Sequence, residues 1–491
     1  MIPRQDNEET PLLQQPEQLM TAKTPLPWDQ FWIILFLHFS HSLVFKTLAP
    51  FTPQLIRDIG VTNGDEQQVG YYVNFLHLSY HVPQTLAVLY WSRLSDRIGR
   101  KPVILTASFA IVTTMLSFGL SRTFLGLLVS RVICGAFNGE NGIIKSMMMD
   151  ITDATNLPNA YGYMPLPSML AAIIGPLAGG SLSRPADRFP EIFGRYGLLK
   201  TYPYLLACTV PALCACILWL IMYFHLKESA STKAPFWEMI KHKQWLLRQS
   251  YQKRFALSRD ALISSGEANS EEVSSKSLSA VLTPKVLAVT ASASTLTLFA
   301  VAIGRLQPLF YATPIELGGV SLDPPRMGLI FATGGFADGI FQLLFYARLH
   351  DRLGARAIYM AGLGSSIPIV LLFPVINALA RAHGMSFAVW LAISVQRALM
   401  IVLDMCFPCI GLFIRAAAPN RASIGATNGI VQLVSGVARI IAPACAMVFS
   451  YSMQEGRDAW LAYYFYMALA FLAIGASMVL PRDPSLWEER E

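Results

Sequence analysis

Charge is what this sequence has least of. Lys, Arg, Asp and Glu make up 14% of its 491 residues, against roughly 25% in ordinary soluble domains. With 54% hydrophobic residues and a mean hydropathy of +0.44, a soluble globular fold is excluded. Cysteine chemistry is lacking too. Cys134, Cys208, Cys214, Cys216, Cys406, Cys409 and Cys445 all fall inside apolar stretches, where they read as small packing residues. Cys406-Phe407-Pro408-Cys409 has the CxxC spacing, but no second pair and no βαβ context accompany it, too little for redox or metal chemistry. No HExxH and no Gly-x-Ser-x-Gly beside a plausible base is present, which argues against an intramembrane enzyme. Residues 1–30 are polar and acidic-leaning, without a basic segment leading into an apolar core, so a tail is expected rather than a cleavable signal.

What the sequence has is apolar length. Runs able to cross a bilayer, about 20 residues each, begin near Phe31, Val69, Pro102, Thr123, Gly162, Thr201, Pro284, Met327, Arg356, Met385, Ser423 and Trp460. They predict an all-α membrane protein of twelve transmembrane helices, six on each side of the only long polar stretch. The expected organisation is a tail at 1–30, a six-helix bundle at 31–226, a linker at 227–283, a second six-helix bundle at 284–480 and a tail at 481–491.

Basic residues in short loops set orientation. Arg93, Arg97, Arg100 and Lys101 follow span two, and Arg348, Arg352 and Arg356 follow span eight, so both tails and the linker are expected in the cytosol. Ser183–Lys200 argues the other way, with Arg184, Arg188, Arg195 and Lys200 against Asp187 and Glu191, and the two matching loops outvote it. The net charge of +7 then belongs to loops beside an anionic leaflet, and no nucleic-acid partner is implied.

Those two loops are copies of one pattern. Tyr90–Lys101 reads YWSRLSDRIGRK and Phe345–Arg356 reads FYARLHDRLGAR, sharing Arg-Leu-x-Asp-Arg-x-Gly, each just after a long apolar run. Asp96 and Asp351, Arg97 and Arg352, and Gly99 and Gly354 are all separated by the same interval, 351 − 96 = 255 residues. An internal repeat in a polytopic membrane protein points to a transporter whose halves rock about a central site. An Asp at a helix end can accept hydrogen bonds from a neighbouring helix N-terminus while arginines hold span ends together. Asp96, Arg97, Gly99, Arg100, Asp351, Arg352 and Gly354 are accordingly expected to form a conformational latch rather than a substrate site.

Ser92-x-x-x-Asp96-Arg97-x-Gly99-Arg100-Lys101 resembles the loop signature of the major facilitator superfamily, G-x-x-x-D-R-x-G-R-K, with Ser92 replacing the first glycine. The second copy departs further, at Ala347 and Ala355. Arg131-x-x-x-Gly135 with Asn138-Gly139 resembles the fourth-helix signature of that superfamily. Gly175-Pro176-x-x-Gly179-Gly180 resembles the fifth-helix signature of its drug:proton antiporter branches. Trp91–Pro102, Asn138–Gly142 and Tyr202–Leu206 together look like the fungal and plant group that includes the zinc-induced facilitator-like transporters. The resemblance implies two six-helix bundles around a central cavity, and export of small organic molecules. Two departures stand out. His38 and His41 replace the Arg and Glu many relatives carry in the first helix, and Glu140 replaces an amide in the fourth.

Ionisable groups at mid-membrane cost about 2.5–3.5 kcal/mol or more unless paired or hydrated, so each needs a reason to be there. Glu140, Asp338 and Asp404 are the central carboxylates, and His38, His41, Arg131, Arg397 and Arg439 join them as proton-coupling or substrate candidates. Lys46, His77, His81, Lys145 and Arg305 are further ionisable residues within spans. Glu140 is the first choice for the exchanged proton, because span four lines the cavity in the resembled fold; a static pair with Lys145 or Arg131, or a position near the cytoplasmic end, is the alternative. His38 and His41 share a helical face, as do His77 and His81. No clear carboxylate or thiolate completes a metal shell around them, so interhelical packing, substrate contact or proton coupling are preferred.

The expected function is proton antiport exporting a small organic molecule such as a drug, toxin or secondary metabolite, by a monomer with no cofactor. Its partners are the substrate, protons and the bilayer. A nutrient importer of the same fold is the alternative, since fold does not fix direction; a transport-inactive receptor or scaffold is the alternative of another class. The plasma membrane is the expected location. Glu8-Glu9-Thr10-Pro11-Leu12-Leu13 fits an acidic dileucine pattern that leaves a vacuolar or endosomal membrane open.

Overall fold

In the computed structural model, residues 24–152, 156, 160, 163–228, 282–419, 424–453, 460–482 and 487 are described. The side chains of Ser92, Arg93, Asp96, Arg97, Glu140 and Lys145 lie outside the described set, as does the dileucine pattern. Among the described residues there is no strand.

The main helices are α1 (Trp28–Leu48), α2 (Glu66–Ile98), α3 (Arg100–Gly119), α4 (Phe124–Ala136), α5 (Glu140–Ile151), α6 (Pro165–Ser181) and α7 (Leu205–His225). In the second half come α8 (Pro284–Ala312), α9 (Pro324–Leu353), α10 (Ala355–Gly364), α11 (Ser366–His383), α12 (Phe387–Asp404), α13 (Cys406–Ala417), α14 (Ile424–Ser452) and α15 (Leu461–Ser477). Among the described residues, eight segments are long and apolar enough to cross a membrane, counting α10–α11 and α12–α13 as one each. The other four expected passes correspond to α2, to α4 with α5, to α6 and to α15.

The interruptions have local causes. Pro368 and Pro408 lack the N–H that would bond the carbonyl four residues earlier, and the helix breaks at Ser365 and Met405, within that turn. The break between α4 and α5 falls at Phe137–Gly139. Trp91 from α2 fills it, donating its indole N–H to the Ala136 carbonyl at 2.6 Å, while a side chain at Gly139 would strike the Trp91 ring.

The buried core divides by half. One cluster holds Val286 through Leu480, and the other three draw only on residues between Phe31 and Leu226. The halves meet along two seams, α6 against α9 and α2 against α14. At the first, Gly180 leaves room for the Pro324 carbonyl and the Gly328 Cα, and Gly328 leaves room for the Pro176 carbonyl. Gly335 and Gly339 admit Ala172 and Met169. At the second, Gly70 admits Ser450 and Leu309. The other two glycines of the fifth-helix signature face α1, where side chains at Gly175 and Gly179 would collide with Lys46 and with the Thr47 carbonyl oxygen. The signature thus packs α6 closely against both of its neighbours.

The two repeat loops differ. Gly99 and Gly354 both adopt positive φ, +104° and +79°, as they join their helices. In the first copy Glu228, just beyond α7, caps the start of α3, accepting from the Arg100 N–H at 2.7 Å and the Lys101 N–H at 3.2 Å. A side chain at Gly99 would displace that carboxylate. Arg100 pairs with Asp150 at 3.2 Å. In the second copy Asp351 and Arg352 are exposed. The reading of Asp96 and Arg97 as latch residues lies outside the described side chains.

Candidate functional site: a charged space between the halves

Lys46 locates the site. Its side chain is not packed over within the first half, and the charges within electrostatic reach of it are Asp404, Arg397, Asp338 and Arg305, all from the second half. Its ammonium therefore faces the space between the halves. Gly175 beneath it brings α6 against this part of α1.

On the Lys46 side, acids and bases are mixed. Asp338 of α9 accepts from Gln342 at 2.9 Å, and Asp404 lies within electrostatic reach of Asp338, Lys46 and Arg397. Arg397 of α12 donates to Gln307 at 3.0 Å and lies over the Phe331 ring at 5.9 Å. A Cβ on Gly334 would come within 2.5 Å of its Nε, so that glycine makes the guanidinium's place. No ion pair closes among the four, among the described residues.

On the other side, a hydrogen-bonded chain crosses three helices and a helix break. Asn138 Nδ2 donates to His41 Nδ1 at 3.0 Å, and Gln84 Nε2 donates to Asn138 Oδ1 at 3.3 Å. His81 Nδ1 lies 3.3 Å from Gln84 Oε1, and His81 Nε2 lies 3.2 Å from Arg305 Nη2. Because Arg305 has only donors, His81 Nε2 must accept and Nδ1 must carry the proton. The network therefore assigns a neutral imidazole beside a charged guanidinium. Phe45 stacks on His81 with ring centres 6.2 Å apart.

The remaining candidates scatter. His38 accompanies Ser168 at 2.9 Å while His41 turns to Asn138, so the shared face predicted for the two serves two different neighbours. Arg131 is buried inside the first half, its Nη2 3.1 Å from the Met115 sulfur and its guanidinium 4.4 Å above the Phe118 ring. Gly135, in the same signature, gives close passage to the Tyr80 carbonyl. Glu140 opens α5 just after the break.

From sequence alone, Lys46 and Arg305 stand out only as ionisable residues within spans and His81 is left between packing, substrate contact and proton coupling, while Gln84 and Glu228 are not singled out. An intramembrane cation without an acid one turn away was the available signal for the first two. At the opposite end from the repeat loops, Arg57 holds Glu66 at 2.9 Å and reaches the Ala312 carbonyl across the seam at 2.6 Å. Arg188 donates to the Gly180 carbonyl. Tyr204 donates to Asp58, and burial beside that carboxylate raises the phenol above its ordinary range.

Two packed halves with ionisable residues at their seam are an arrangement suited to a multi-pass membrane transporter. The profile described as Major Facilitator Superfamily matches residues 34–443, and the chain belongs to that family. It is 29% identical to "Major facilitator-type transporter psiT2" of Psilocybe cyanescens, covering 95% of this chain and 92% of the relative. It is 26% identical to "Protein ZINC INDUCED FACILITATOR 1" of Arabidopsis thaliana, covering 91% and 89%. With "Efflux pump azaK" of Aspergillus niger it shares 26% identity over 82% of this chain and 77% of that one. Among solved structures, a D-xylose-proton symporter superposes with a TM-score of 0.63 at 12% identity, covering 92% of this chain and 97% of that one, which bears on the fold alone.

Proposed function

We propose that this transporter exports a small organic molecule in exchange for protons. The observation that carries the reading is the Lys46 group. One cation from the first half faces two carboxylates and two arginines from the second, and among the described residues it closes no ion pair with either carboxylate. A carboxylate in such a space can lose its proton when a cation approaches across the seam and regain it when the halves part. Asp404, with Asp338, takes the coupling role on this geometry, ahead of Glu140.

Export is supported by the fifth-helix glycines and by the relative named an efflux pump. The positive-inside reading puts Gly99 and Gly354 at the cytoplasmic face. Arg57–Ala312 and Gly180–Pro324 then close the outer face, and the space between the halves is offered to cytoplasmic substrate. Tails and linker are cytoplasmic on this reading, and the plasma membrane is the site of action.

The test is flux in proteoliposomes. Asp404→Asn should abolish pH-driven flux while exchange at equal pH persists. Glu140→Gln should retain both. pH-driven flux lost in Glu140→Gln and kept in Asp404→Asn moves the proton to Glu140; loss in neither removes antiport.

A further inference from the structure

Among the described residues, the charges around the central space do not balance. Lys46, Arg305, Arg397 and Arg439 face Asp338 and Asp404, four described cations to two carboxylates. Both carboxylates are grouped with Lys46 and Arg397. Around Arg305 and Arg439 the described residues supply no acid. Arg305 has five N–H donors, and among the described residues His81 is its single hydrogen-bond partner, already assigned as neutral. Arg439 makes no hydrogen bond among them, and lies on α14 within electrostatic reach of His81, one turn beyond Gly436, which abuts Thr85 of α2. Both arginines are half-buried and so retain access to the space.

Two uncompensated guanidiniums are expensive within a membrane protein unless something anionic visits them. We propose that Arg305 and Arg439 form the recognition site for an anionic group on the transported solute, a carboxylate or a phosphate or sulfate ester, with His81 and Gln84 holding Arg305 in place. This deepens the transport reading and rests on it: the substrate is an organic anion or a zwitterion whose negative end lies between α2, α8 and α14. Guanidinium supplies paired donors in a planar fork, which matches the oxygens of either group. Phe45, stacked on His81, offers an apolar surface beside the fork for the organic part.

The test is binding to the purified full-length protein in nanodiscs, by calorimetry, with four probes of one shape: benzoate, phenyl phosphate, benzyl alcohol and benzylamine. Saturable binding is expected for one or both anions, tighter than for the neutral and cationic probes. Arg305→Gln and Arg439→Gln should each weaken it by about tenfold or more, the scale of a lost charge-assisted pair. Arg305→Lys should recover part of that loss, and Lys227→Gln, which removes a surface cation, should match the wild type. Monodisperse elution of each variant separates lost recognition from lost folding. No anion binding, equal binding of the neutral and cationic probes, or unchanged affinity in both glutamine variants overturns the proposal. Flux distinguishes it from the reading beneath it. Anion binding that depends on Arg305 in a protein that moves none of the probes removes transport of this class and leaves the site. pH-driven flux of benzylamine or benzyl alcohol that is unchanged in Arg305→Gln leaves transport and removes the site.

Discussion

The two sides of the central space hold the same kinds of residue in opposite balance. Around Lys46, each charge has an opposite charge within reach and none is locked in an ion pair. Around His81, Arg305 bonds the neutral imidazole that an amide chain holds, and Arg439 lies within electrostatic reach of the same ring, with no described acid between them. A mixed group suits a proton that must come and go; a purely cationic group suits a ligand that brings its own negative charge. Packing differs as well. The Lys46 side is backed by Gly175 and Gly179, against the α1 backbone, whereas the His81 side depends on side-chain hydrogen bonds across α1, α2, the α4–α5 break and α8.

The comparison breaks most forcefully at Gly179. Valine there must displace the Thr47 carbonyl, an overpacking of about 1–3 kcal/mol, equivalent to roughly tenfold to a hundredfold in rate or equilibrium. Gly179→Val should lose pH-driven flux on that scale while binding of anionic probes at Arg305 persists, measured side by side on folded protein. Equal loss of both would mean that the two sides act as one. A smaller effect is expected from His81→Phe, which keeps the stack on Phe45 but removes both ring nitrogens. Anion affinity should fall about threefold to tenfold, with the ratio of pH-driven to exchange flux unchanged; a changed ratio would place His81 in the proton path. The smallest effect is expected at Glu228→Gln, outside both groups. Losing the charged cap on α3 should lower stability by about 1 kcal/mol, read as a drop of a few degrees in Tm, with binding and flux unaltered.

Much of this architecture was legible in the chain. The described helices begin within a few residues of the apolar runs, as Pro284 does for α8 and Trp28 for the run near Phe31. The Gly175-Pro176-x-x-Gly179-Gly180 pattern stood out in the sequence, and side chains at its three glycines would collide with α1 and α9. The helix breaks at Ser365 and Met405 were written in Pro368 and Pro408 and went unread, because a proline within an apolar run is tolerated elsewhere, as Pro374 and Pro443 are in α11 and α14. Partnerships across the seam were illegible for a different reason. Lys46 and Asp404 stand 404 − 46 = 358 residues apart, and His81 and Arg305 stand 224 apart, distances over which no local spacing rule operates. Glu228 looked like the first acid of a polar linker and serves instead as the cap of a helix that begins 128 residues earlier.

The division of labour is tested most directly by measuring, in one proteoliposome preparation of each variant, exchange at equal pH and accumulation driven by a pH gradient for an anionic substrate. Asp404→Asn should keep exchange near the wild-type rate and lose accumulation, while Arg305→Gln should raise KM for both and leave accumulation reachable at high substrate. Accumulation intact in Asp404→Asn, or an unchanged KM in Arg305→Gln, would contradict the account.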